Sequence, residues 1–291
     1  MKRTLYLLSL FTFLITSAVT AQDTISVPDT LRGGKTTWVL GLNGSQASYS
    51  NWSQGGTNNI AATGTSTITT LYKNQKFAYG FLLDTRYGKT KIENEGTRKI
   101  SDRLYLLNRF LYTLNDENPE LKLYNNLSFR TQFDKGFNYG AAEDGGDILI
   151  SKFMAPAYFN QSIGMAWVPS DIFSVEAGLG LKQTYVSDEA LSETYGLPEG
   201  DQFRSEAGLN FGASLETDLM ENMQLSSSVQ TFTSFDSAVS STDIYFSNKI
   251  IGRINSYINT NLSLDLVYDD NFSDEIQVAQ VLSLGISYSI R

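Results

Sequence analysis

The sequence predicts an all-β chain: a transmembrane antiparallel up-and-down β-barrel of about twelve strands, with short periplasmic turns and long extracellular loops. Three observations carry this. An apolar-polar alternation recurs along nearly the whole chain, the connections alternate in length, and aromatic residues cluster at both ends of the alternating stretches. Side chains on a strand point alternately to opposite faces, so alternation over about ten residues describes a two-faced strand. A barrel in lipid needs an apolar exterior and a polar interior, which is the same pattern closed on itself.

The N-terminus reads as a targeting signal. Lys2 and Arg3 precede an apolar run from Leu5 to Ile15, and Ser17 to Ala21 supplies small residues. Such a run is too short for a spanning helix, which needs about 20 residues. Cleavage is expected after Ala21, so 1–21 is a signal peptide and the chain is expected in the cell outer membrane. Losing Lys2 and Arg3 takes the formal charge from -9 to -11. Residues 22–35 read as a short polar periplasmic tail, and 36–291 as the barrel.

The strands follow in order, centred near residues 43, 66, 83, 107, 127, 161, 179, 210, 229, 248, 262 and 284, roughly even in spacing. In the third, Phe77, Tyr79, Phe81, Leu83 and Tyr87 share one face, while Gly80, Asp84 and Arg86 share the other. The stretches from Phe173 to Lys182 and from Ala207 to Glu216 repeat this. The second and ninth are weaker, being rich in Thr and Ser. Short connections fall at 74–75, 115–120, 169–172, 219–222 and 255–256. Long ones fall at 51–59, 91–99, 136–152, 188–202, 236–243 and 269–275. The Gly-rich part at 140–150 is expected either to fold inward as a constriction or to stay mobile. Trp38, Tyr72, Phe77, Tyr112, Trp167 and Phe173 mark the short-turn ends. Tyr49, Tyr87, Phe133, Phe153, Tyr185, Phe203, Phe235 and Tyr268 mark the other. Amphipathic rings favour the two interfaces of a bilayer.

The inner face is expected to carry Asp84, Arg86, Arg109, Lys122, Arg130, Glu176, Lys182, Glu206, Glu216, Lys249, Arg253 and Asp265 as lumen lining. Charges there must be paired or wet. A polar pore lining and a lattice of ion pairs filling a narrow lumen both fit. Surplus acid lies in the long loops: Glu143, Asp144 and Asp147; Asp188, Glu189, Glu193, Glu199 and Asp201; Asp269, Asp270, Asp274 and Glu275. The bland account of these carboxylates is a solvated anionic surface; Ca²⁺ binding through oxygen ligands is the alternative.

Absences narrow the chemistry. The chain has no Cys and no His, with 31 acidic against 22 basic residues. Disulfides, thiolate metal sites and a Ser-His-Asp arrangement are therefore impossible. No phosphate loop or dinucleotide fingerprint occurs. An acidic chain lacks the basic footprint that nucleic acid requires. No enzyme activity, cofactor or metal is expected; the expected partners are outer-membrane lipid and another envelope protein.

One motif stands apart. After the first stretch, Thr37 to Ser50, comes Asn51-Trp52-Ser53-Gln54-Gly55-Gly56-Thr57-Asn58. A first strand ending in N-W-S-x-G-G resembles the opening of a family of uncharacterised outer-membrane proteins of the Bacteroidota. The resemblance rests mainly on residues 36–64 and implies a secreted barrel with no catalytic residues established. Gly55 and Gly56 permit positive φ in a tight turn, and Trp52 suits an interface or the barrel mouth. Two functions stay open: a narrow channel for small solutes, and a non-catalytic structural or assembly component that binds another envelope protein.

Overall fold

The computed structural model describes residues 25–48, 57–236, 238–269, 271 and 273–290. The signal-peptide residues and the motif residues Asn51, Trp52, Gln54, Gly55 and Gly56 lie outside them. Twelve strands close into one antiparallel barrel: β1 (Gly33–Ala47), β2 (Asn59–Asn74), β3 (Phe77–Ile92), β4 (Gly96–Thr113), β5 (Leu121–Thr131), β8 (Ala157–Trp167), β9 (Phe173–Tyr185), β10 (Phe203–Met220), β11 (Met223–Ser234), β12 (Asp243–Arg253), β13 (Ile258–Asp269) and β14 (Ser273–Ile290). Two further strands, β6 (Gly136–Asn138) and β7 (Ile148–Ser151), form a separate hairpin in the β5–β8 connection. Closure runs between β1 and β14, from Trp38 opposite Ile290 to Asn43 opposite Gly285. A closed sheet leaves no unpaired edge, the condition for crossing lipid with strands.

Alternation becomes burial directly. On β3, Ala78, Leu82 and Asp84 are buried inside while Phe77, Phe81 and Leu83 face out. The outward rows carry Leu40, Leu42, Leu123, Ile163, Leu209, Leu282 and Ile286, all exposed. So large an apolar surface on a closed sheet is the exterior of an outer-membrane-type barrel. At the short-turn rim, aromatic rings form a belt: Phe77 stands 6.4 Å from both Tyr72 and Phe110, and Trp167 meets Phe173 edge-on at 6.2 Å. The Thr- and Ser-rich stretches are full strands, β2 and β11, because their hydroxyl residues face inward and suit a polar lumen.

Two expected long loops are short. β3 and β4 keep pairing to Ile92 opposite Gly96, leaving 93–95 as the turn. Asn94 (φ 65°) and Gly96 (φ 85°) adopt the left-handed conformation that closes it. β13 pairs with β14 as far as Asp269 opposite Ser273. Apolar patterning ends before either pair of strands does, since strands that project past the membrane can be polar on both faces. The 136–152 connection also departs from expectation by forming the β6–β7 hairpin. That hairpin sits against β4, where the Tyr139 hydroxyl accepts from the Lys99 amide at 3.1 Å and Arg98 stacks on the Tyr139 ring.

The segment before β1 also differs from a free polar tail. β1 starts at Gly33, and Ile25 and Val27 are buried inside the barrel against Ala78, Leu82, Tyr105, Leu107, Leu111, Tyr124 and Ala166. Its polarity by count hides an Ile-x-Val alternation too short to register as a strand.

Candidate functional site: the lumen

The register sets all twelve expected lining residues on the inner face, and ion pairs engage six of them: Asp84, Arg109, Lys122, Glu176, Lys182 and Glu206. Arg109 on β4 donates to Glu176 on β9 at 2.6 Å, and Asn126 between them donates to the same carboxylate at 3.0 Å. Lys182 on β9 donates to Asp243 on β12 at 2.6 Å and Asp269 at the end of β13 at 2.7 Å. Tyr245 donates to Asp269 as well, at 3.0 Å. Asp84 lies 3.6 Å from Arg103 and accepts from Thr67 at 2.8 Å. Arg130 stacks over Tyr158 with 4.8 Å to the ring centre. Glu206 accepts from Arg204 at 3.0 Å, Glu216 from Gln224 at 3.1 Å, and Asp265 from Ser247 at 2.5 Å. Arg86 faces inward with a buried Nε that has no hydrogen-bond partner. Lys249 sits opposite Ser226 and Ser263, and Arg253 is exposed at the short-turn rim. Lys122 leaves the wall to bind Asp29 of the N-terminal segment at 2.9 Å.

The distribution is uneven. Most charged wall residues lie on β3 to β13, whereas the inner face of β1, β2 and β14 is mainly Thr, Ser, Asn, Gly and small apolar residues, with Lys35 and Lys73 near the short-turn end. A cavity of about 70 Å³ lies against the inner face of β4, β5 and β8 to β12. Arg103, Arg109, Arg130, Tyr158, Phe232 and Tyr245 are among its lining side chains. Arg103, Arg109 and Lys182 lie against carboxylates of the wall and Arg130 stacks on Tyr158, so the cavity offers aromatic faces, amides and tied guanidinium groups rather than a strong field of one sign.

Segments outside the barrel strands pack at both ends. At the long-loop end, the 186–202 connection carries two single-turn 3₁₀ segments, Glu189–Leu191 and Glu193–Tyr195. Val186, Leu191, Tyr195 and Leu197 are buried with Ala155 in a small core of their own. The Tyr195 hydroxyl donates to the Ile150 carbonyl at 2.6 Å, tying this loop to the β6–β7 hairpin, and burial raises its pKa. Asp188 accepts from Lys152 at 2.9 Å and from the Ala190 amide at 3.2 Å. The Lys152 ammonium, with the amide, holds the Asp188 carboxyl below its ordinary 3.8. Asp144 and Asp147 close turns by accepting from the Gly146 and Gly140 amides.

At the short-turn end stands the 25–32 segment. Burial pushes the Asp29 carboxyl up, but hydrogen bonds and charge from Lys73 and Lys122 outweigh it and hold it below its ordinary value. The Asp29 amide donates to the Asp171 carboxylate at 2.9 Å, and the Ser26 hydroxyl to the Asp171 carbonyl at 3.2 Å.

Sequence reasoning missed Arg103, Asp243, Asp269, Tyr245, Lys73 and Asp29. Parity finds Arg103, six residues before Arg109 on the same strand face. Asp269 was expected in a solvated loop; it is buried beside Lys182, because β13 runs further than its apolar pattern. Nothing in the sequence joins Asp29 to two lysines of different strands.

A family model described as a protein of unknown function (DUF3078) matches residues 45–137, less than half of the chain. The matched family is uncharacterised. No curated protein matches. Several solved outer-membrane barrels resemble the fold. The translocator domain of the autotransporter NalP from Neisseria meningitidis is 14% identical over 90% of each chain, with a TM-score of 0.42. The COG4313 outer membrane channel from Pseudomonas putida F1 is 11% identical over 92% of this chain and 98% of its own, with a TM-score of 0.42. The KdgM porin is 8% identical over 87% and 99%, with a TM-score of 0.38.

Proposed function

We propose that this chain is exported by a cleaved signal peptide to the outer membrane and forms a narrow channel for small polar solutes. The observation that carries the reading is the lumen cavity of about 70 Å³, lined by aromatic and hydrogen-bonding side chains. A polar cavity with room for several waters exceeds the voids of a close-packed interior. Balanced charge favours a neutral polar solute over a strongly charged one, because a lone ion would have to displace a carboxylate or a cation from an existing pair. A catalytic role is disfavoured: without His, an acid-base pair would have to come from the wall carboxylates, and Glu176, Asp243 and Asp269 are each bound to a cation. Membership of the Bacteroidota family suggested by the N-W-S-x-G-G motif is part of the same proposal, supported by a family match that spans those residues.

Conductance of the refolded mature protein in a planar bilayer tests this. Discrete steps, altered by charge reversal at Arg86 or Arg130, are expected. A silent bilayer containing folded barrel overturns the channel. One observation favours a second reading, an assembly component. The 132–156 and 186–202 connections form a packed rim with its own apolar core, a rigid surface on which a partner envelope protein could dock. Cross-linking from that rim in intact cells tests it.

A further inference from the structure

We propose that residues 25–32 are a removable plug, seated in a dedicated two-part site on the lumen wall, and that their release opens the short-turn mouth. This rests on the channel reading.

The first part of the site is apolar. Leu71, Ala78, Leu82, Leu107, Leu111 and Ala166 come from β2, β3, β4 and β8, yet all pack at the same inner face. A water-filled lumen is expected to be polar there. Bare, this patch would expose aliphatic surface to water; Ile25 and Val27 cover it. Gly80 lies within it. A Cβ at Gly80 would come within 2.6 Å of Ile25 Cγ2, so the bare backbone leaves the room that Ile25 fills.

The second part is cationic. Lys73 on β2 and Lys122 on β5 converge on the one carboxylate of Asp29. Lys122 is 3% exposed, an unusual place for an ammonium without a partner. The strands that bear these lysines are separated by β3 and β4, so Asp29 bridges the wall as a clamp. The site is thus shaped for a short extended peptide with two aliphatic side chains and a carboxylate, and the chain's own N-terminal segment supplies it.

The attachment is also suited to release. Among the described residues, the segment's backbone-to-backbone hydrogen bond, from the Leu31 amide to the Pro28 carbonyl, is internal to it, and its remaining ties outside the clamp are the two bonds to Asp171. No strand ladder holds it, and it joins β1 through Gly33, whose φ of 77° lies in the region open to glycine. Asp29 itself remains half exposed, so its clamp is open to water and salt.

The chain has no cysteine, which makes engineered thiols clean reporters. Ile25→Cys is labelled with a bulky water-soluble maleimide in detergent micelles, with Lys73 and Lys122 intact and with Lys73→Gln/Lys122→Gln. Labelling is expected to be about five- to tenfold faster without the lysines, the effect of losing two partly exposed ion pairs. Asp29→Asn serves the same purpose should the double variant not fold. Equal rates in both backgrounds overturn the plug. In parallel, Ile25→Cys/Gly80→Cys places two thiols where Ile25 Cβ and a Cβ at Gly80 stand 3.3 Å apart, close to the spacing of a disulfide. The oxidised pair is expected to hold conductance at its closed level, and a reductant to restore opening. Unchanged conductance with the bond verified also overturns the plug. Should no variant conduct, including one lacking residues 22–31, the channel reading falls, and the labelling contrast alone decides whether the segment leaves its site.

Discussion

Arg109 and Glu176 bond at 2.6 Å although two strands separate them, β5 and β8, and Asn126 and Ala166 stand on the wall between. Ala166 is fully buried beneath this reach, and Gly164 beside it faces Gly178 across the ladder. Small residues under the pair let two long side chains meet over them. Removing one partner leaves a buried ion unmatched. Glu176→Leu alone is expected to lower stability by about 3 kcal/mol, while Arg109→Met with Glu176→Leu recovers most of that loss. Urea titration of the barrel in vesicles measures both; a single variant as stable as the double one would show that water, not the partner, satisfies the ion.

Lys182 makes a second, stricter case, because one ammonium serves two carboxylates. Asp243 and Asp269 approach from neighbouring strands and would repel each other without it. Lys182→Met is therefore expected to be costlier than either Asp→Asn change, by about 2 kcal/mol, and adding both Asp→Asn changes to it is expected to restore folding. The same titration ranks the four variants. A Lys182→Met barrel no weaker than Asp243→Asn would mean the carboxylates are separately solvated.

These two clusters show what the sequence could and could not reveal. Glu176, Lys182 and Arg109 are legible as inner-face residues because strand parity is fixed by a period of two. Their partners are not, because parity gives the face and not the register around a closed wall. Strand count and the aromatic rim were readable for the same reason: each needs only local pattern. Asp269 was misjudged because strands run beyond the lipid, where apolar alternation is no longer required. The N-terminal segment was misread because three aliphatic residues among eight, Ile25, Val27 and Leu31, are a weak pattern until a matching apolar patch is seen inside the barrel. The long connection at 136–152 gave no warning of its hairpin, since Gly and Asp there read simply as loop.

At the long-loop rim, Asp188 ties the 186–202 connection to Lys152 and caps the first 3₁₀ turn through the Ala190 amide. Its folded pKa lies below the ordinary 3.8. A depressed carboxylate stabilises fully above its unfolded pKa and stops doing so as pH falls through the folded value. No change is expected between neutral pH and pH 5, since the group stays ionised in both states. The Ala190 amide proton resonance is expected to titrate with a midpoint below 3.8, and Lys152→Gln to move that midpoint upward. A midpoint at the ordinary value would mean the ion pair does not persist in solution.

Leu282 offers the sharpest test of the membrane reading itself. It lies in the middle of β14, opposite Leu262 on β13, and is 74% exposed on the outer face. In a water-soluble barrel an exposed leucine can become arginine with little effect, within about 0.5 kcal/mol. In a bilayer the same side chain faces hydrocarbon near the midplane, where arginine costs about 2–4 kcal/mol. Leu282→Arg is expected to show that larger loss on refolding into vesicles, and Ser283→Arg, one residue along and facing the lumen, a much smaller one. The comparison controls for strand propensity, since both changes fall on the same strand at the same depth. Equal and small losses at the two positions would place the outer face in water and remove the physical basis for a membrane barrel.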